Sequence, residues 1–105
     1  MTINICGIPF EVIEVDSIDE AEQGITQAKI FHSRCTIHVR RDLPVILKRQ
    51  AIIHEVLHGM LELLGFVEYS DDEHFVQALS LAIYQTFDYP WAGKDGEIDE
   101  DTIVL

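Results

Sequence analysis

Residues 51–61 read "AIIHEVLHGML". Two imidazoles, His54 and His58, and one carboxylate, Glu55, interrupt a segment that is otherwise an apolar helix. Each must be desolvated there, so each needs a partner in the core or a role in a shared site. Four residues along an α-helix turn about 400°, which sets His54 and His58 on one side, about 6 Å apart along the axis. Both rings can then reach one metal ion. Glu55 stands about 100° round from His54, beside that ion and not on it, where it can take a proton from water. This spacing is what metal-assisted hydrolysis calls for: zinc as the Lewis acid, and a carboxylate as the base while a carbonyl is attacked. The competing reading, two core histidines with structural partners, leaves their desolvation without an evident gain.

The surrounding sequence supports a helix. Asp42 is a candidate cap, Pro44 suits a first turn, and apolar residues recur at Ile46, Ile53, Leu57, Met60, Leu61 and Leu64. Gly65 supplies a stop, so the helix is expected over residues 43–64. After the polar "EYSDD", a second helix is expected over 71–87. It carries Phe75, Val76, Leu79, Ala82, Ile83 and Phe87, has Ser70 or Asp71 as cap, and ends before Pro90. Upstream, "INIC" and "FEVIEV" flank "GIP" and read as a hairpin over 2–15. "ITQAKIF" and "CTIHVR" read as a second hairpin around "HSR". The polar stretch 16–24 between them is a loop or a short helical turn. The order predicts an α+β domain, a small antiparallel sheet of two hairpins packed on two helices. Residues 1–92 form that single domain, and 93–105 read as an acidic tail.

Two histidines do not complete a catalytic site, because zinc enzymes usually supply three protein ligands. Glu62 follows His58 by four residues, but three ligands in line along one helix do not converge, which leaves Glu62 a supporting role or a place in solvent. The start of the second helix offers Glu73 and His74, with Asp71 and Asp72 as capping residues. Glu73 shares a face with Val76, Gln77 and Ser80, so Gln77 can tether Glu73 or a ligand histidine. His74 shares a face with Gln77, Ala78 and Leu81 and stands as the alternative ligand.

Composition limits the partners. The chain has 105 residues, 19 acidic against 7 basic, and a net charge of −12, which argues against nucleic-acid binding by the whole surface. Six of those seven cations lie between positions 29 and 49, a basic rim in an acidic body. No apolar run reaches the roughly 20 residues of a membrane span, and "MTINICGIPF" has no secretory-signal pattern, so a cytoplasmic location is expected. Cys6 and Cys35 form no C-x-x-C pair and read as small buried hydrophobes.

"AIIHEVLHGMLELLG" followed by "DDEHFVQALSLAIYQTF" resembles the ImmA/IrrE-type zinc metallopeptidases, in particular short forms found in phages and prophages. The resemblance implies a zincin-like fold and a gluzincin-like centre with one zinc ion per chain. His54 and His58 match the motif histidines, Glu55 the general base and Glu73 the third ligand. The gap from His58 to Glu73 is shorter than in the larger members, and the helix-turn-helix and sensor regions of those members have no counterpart. The implied activity is hydrolysis of a peptide or protein substrate. An extended peptide can pair with an exposed strand, for which "CTIHVR" is the candidate, with Arg40 and Arg41 favouring acidic substrate side chains. His38 on that strand is a candidate cleft residue, and Tyr69, Tyr84 and Tyr89 are candidate oxyanion donors. The alternative is a non-catalytic interaction protein that keeps a structural or vestigial zinc site and binds a host partner through its basic rim.

Overall fold

A computed structural model describes residues 1–18 and 27–88. The expectations placed on 19–26, on Tyr89 and on the acidic tail lie outside the described residues. Strands β1 (Thr2–Ile5) and β2 (Ile8–Val15) form the first hairpin, with Ile5 opposite Ile8. The two-residue loop between them has positive φ at both positions, 51° at Cys6 and 85° at Gly7. That is the backbone of a tight turn whose twist matches the paired strands. Cys6 is therefore an exposed turn residue and Cys35 is half-buried, which corrects the reading of both as buried hydrophobes. The second hairpin pairs β3 (Ala28–Phe31) with β4 (Thr36–Arg40) around a 3₁₀ turn at His32–Arg34.

The sheet order is β1-β2-β4-β3, and β2 runs parallel to β4, with Val12 opposite Ile37. The sheet is thus mixed, not antiparallel throughout. Turn chemistry fixes each hairpin, but how two hairpins join is decided by which edges bury more apolar surface, and that pairing leaves no local signal. Because β2 occupies one side of β4 and β3 the other, the "CTIHVR" strand is interior and has no free edge. Among the described residues the edge strands are β1 and β3.

One face of the sheet carries Ile5, Phe10, Ile37, Val39 and Ala28, all buried. Across it lies α1 (Val45–Leu63), contributing Ala51, Ile52 and Val56 to the core. Gly59 lets the helix approach closely, since a Cβ there would stand 2.9 Å from Ile30 Cδ1 and 3.2 Å from Ile5 Cδ1. The helix starts with Pro44 in the cap position, and the Asp42 carboxylate accepts from Arg40 instead of capping. Ile46, Met60 and Leu64, counted in the expected apolar face, are exposed. At the other end Gly65 takes φ +87°. Its N–H donates to Glu62 O and that of Phe66 donates to Leu61 O, a Schellman closure.

The reversal at Gly65 leads into a short helical turn, α2 (Val67–Ser70), and then α3 (Glu73–Ile83), which continues as a π-helical turn over Tyr84–Asp88. Asp72 caps α3 by accepting from Phe75 N at 3.0 Å. The expected single helix over 71–87 is therefore interrupted at both ends, and neither Ser70 nor Asp71 is its cap. Buried Val76 and Ser80 face α1. No helix among the described residues is long and apolar enough to cross a membrane.

Candidate metal centre

The turn between α1 and α3 folds Glu73 back over the motif histidines. His58 Nε2 lies 2.8 Å from Glu73 Oε1, His54 Nε2 lies 3.2 Å from Glu73 Oε2, and the two Nε2 atoms are 3.2 Å apart. His54 and His58 are mostly buried, while the Glu73 side chain is 70% exposed, so the centre opens to solvent on the α3 side.

The hydrogen bonds on the far side of each ring fix what these nitrogens are. His54 Nδ1 lies 2.8 Å from Gln77 Oε1, an amide oxygen that only accepts, so Nδ1 carries a proton, which in the neutral ring leaves Nε2 with a lone pair. His58 Nδ1 lies 2.9 Å from Ser70 Oγ, whose hydroxyl donates to Glu62 Oε2 at 2.8 Å. Ser70 Oγ therefore accepts from His58 Nδ1, and again the neutral ring has its lone pair on Nε2. The two Nε2 atoms and the Glu73 carboxylate face one another at 2.8–3.2 Å, which is stable only with positive charge among them, carried by ring protons or by a metal ion. Tetrahedral zinc with bonds of about 2.0–2.1 Å spaces its ligand atoms about 3.3 Å apart. Two of the separations, 3.2 Å each, are close to that spacing and the third, 2.8 Å from His58 Nε2 to Glu73 Oε1, is shorter; the donor set of two imidazoles and one carboxylate suits zinc. Among the described residues this is the one cluster of His, Cys, Asp or Glu able to hold a metal ion.

Glu55 lies beside the cluster and not in it. Its Oε1 accepts from Ile30 N at 3.0 Å, which ties α1 to the edge strand β3. Burial pushes its carboxyl up to about 7. The Ile30 N–H opposes that rise, Glu73 and Glu62 add to it, and Lys29 counters it weakly. A cleft of about 360 Å³ opens here, bounded by Ala28 of β3, Gln50, His54, Glu55, Glu73 and Gln77. Strand β3 and helices α1 and α3 thus meet at one concave surface.

The other candidates fall elsewhere. His74 is exposed and outside the cluster. Arg40 donates to Asp42 (2.6 Å) and Arg41 is bonded to Asp16, while Lys48 pairs with Glu14. The Arg40 hydrogen bonds hold the Asp42 carboxyl below its usual range, and Lys48 does the same for Glu14. Lys29 and Arg34 lie over the Phe31 ring, at 5.5 and 4.0 Å from its centroid. The basic rim is thus largely engaged with its own chain. His38 packs on Phe31, centroids 4.8 Å apart, on the opposite strand face from buried Ile37 and Val39. Tyr84 is buried and Tyr69 packs against Phe66 and Phe75; neither lines the cleft.

Sequence reasoning missed Ser70 and His32. A serine just before two aspartates reads as a cap, and nothing local says that it turns inward. His32 Nε2 reaches Glu62 Oε1 at 3.2 Å from a turn whose sequence, "HSR", carries no chemical pattern. Comparison with protein-family models, curated proteins and solved structures finds no match for this chain.

Proposed function

We propose that this chain is a zinc-dependent peptidase of zincin-like fold, with His54, His58 and Glu73 as ligands and Glu55 as general base. The observation that carries the reading is the convergence of three ligand atoms beside a separate, desolvated carboxylate at the floor of an open cleft. A purely structural metal site has no use for that carboxylate, which is expensive to bury. Zinc, when bound, supplies Lewis acidity at this point.

The chain's own residues supply the rest. Glu55 Oε1 is held by Ile30 N–H, which leaves Oε2 to accept a proton from water and return it to the departing amine. Gln77 and Ser70 hold the imidazoles in the Nδ1–H tautomer, with Nε2 free to bind a metal. An extended peptide has Ala28 of edge strand β3 as its neighbour in the cleft. Steering of acidic substrates by Arg40 and Arg41 finds no support, since both are engaged with aspartates, and the same pairing weakens the reading of a binding module acting through the rim.

Elemental analysis of wild type and Glu73→Ala, with hydrolysis of a fluorogenic peptide library by wild type and Glu55→Gln, tests this. About one zinc per wild-type chain, weak retention in Glu73→Ala, and zinc without turnover in Glu55→Gln are expected. A wild type that takes up no zinc from added salt would sink the proposal.

A further inference from the structure

His54 and His58 are not supported alike. His54 leans on Gln77, a neutral and exposed amide. His58 leans on Ser70, which is only 3% exposed, and through that hydroxyl on the Glu62 carboxylate, whose other oxygen faces His32 Nε2. Glu62 sits on an outward part of α1 and is itself exposed, yet its carboxylate turns back onto Ser70 instead of toward water.

The chain path makes this placement specific. Gly65 reverses the backbone, Phe66 O accepts from the N–H groups of Tyr69 and Ser70, and that single turn swings Ser70 beneath His58. In a hydrogen-bonded chain each link polarises the next, so a carboxylate one hydroxyl away makes the far nitrogen of the imidazole a better donor. A neutral amide does this less. Resting on the metal-centre reading above, we infer that Ser70, backed by Glu62, is a positioning residue that makes His58 the anchoring ligand and leaves His54 the more weakly held one.

The test is zinc affinity of the full chain, measured by competition with a chromogenic chelator, for wild type, Ser70→Ala, Glu62→Gln and Gln77→Ala. Thermal melts of the metal-free proteins and visible spectra of their cobalt forms accompany it. Ser70→Ala should weaken zinc binding by about 10- to 100-fold, the usual effect of losing a ligand's supporting partner. Gln77→Ala should weaken it less. Glu62→Gln, a change at an exposed position that leaves folding intact, should weaken it severalfold and shift the cobalt bands while the metal-free melt stays put. That last combination separates positioning from packing, because a packing defect lowers the metal-free melt and leaves the ligand field alone. Ser70→Ala and Glu62→Gln both binding zinc within twofold of wild type, or Gln77→Ala losing as much as Ser70→Ala, overturns the inference with the zinc site intact. A wild type without zinc affinity overturns the site and the inference together.

Discussion

Replacing Glu55 by Gln in the metal-free protein should change the pH dependence of its stability more than any other single substitution near the cleft. The folded-state pKa of Glu55 is raised from 4.5 to about 7, chiefly by burial. The folded protein therefore binds more protons than the unfolded chain between pH 4.5 and 7, and its stability falls as pH rises through that window. At about 1.4 kcal/mol per pH unit, the ionised Glu55 destabilises the metal-free fold by about 3 kcal/mol once pH exceeds 7. Gln carries no proton to lose, and its Oε1 can still accept from Ile30 N. The stability difference, variant minus wild type, should then grow by about 3 kcal/mol from pH 4.5 to pH 8. Urea denaturation with a chelator present, at four or five pH values, reads it directly. Added zinc should flatten the wild-type curve, because a nearby cation favours the ionised carboxylate. A difference that stays constant to within about 0.5 kcal/mol across the range would mean that Glu55 is solvated and that the buried-base argument is wrong.

Two further outcomes follow from the packing. Gly59→Leu forces side-chain atoms onto Ile30 and Ile5, whose Cδ1 atoms already stand 2.9 and 3.2 Å from a Cβ there, and should cost about 1–3 kcal/mol in a denaturation experiment. Asp72→Ala removes the cap of α3 and should cost about 1 kcal/mol. Because Glu73 is the next residue, the same variant should also retain zinc less well, measured by dialysis against a graded chelator.

The parts of this fold legible in the sequence are those with a local physical cause. Both hairpins announce themselves by turn chemistry and alternation, the helix carrying His54 and His58 by its apolar content, and its end by Gly65. The join between hairpins was not legible, because β2 meets β4 through Val12, Ile37 and their neighbours, residues that would serve an antiparallel partner as well. The buried side of α1 was legible only in part, at Leu57, for a related reason. "AIIHEVLHGMLELL" is apolar nearly all round, so periodicity does not choose a face. What chooses it is size: Ala51 and Gly59 are buried while Met60 and Leu64 are exposed, because the small residues let helix and sheet approach. In the site, the clustering of His54, His58 and Glu73 followed from helical geometry and one turn. The link from His58 through Ser70 to Glu62 did not, since it depends on where a four-residue helical turn points.

That close approach also joins the fold to the chemistry. Gly59 lies four residues, about one turn, beyond Glu55 on α1, and the residue it admits is Ile30. Ile30 is the residue whose N–H reaches the Glu55 carboxylate, so the distance between helix and edge strand sets both the packing and the desolvation of the base. A side chain at 59 too bulky for Ile30 and Ile5 to accommodate by turning their side chains should move the strand outward, lengthen that hydrogen bond and admit water. Loss of the hydrogen bond alone would raise the Glu55 pKa further, whereas admission of water would lower it. Burial is the largest contribution, so the second effect wins and the carboxyl falls back toward the ordinary range. The width of one helix–strand gap thus governs how readily Glu55 holds a proton, and a glycine that makes no contact with any ligand becomes a determinant of the site.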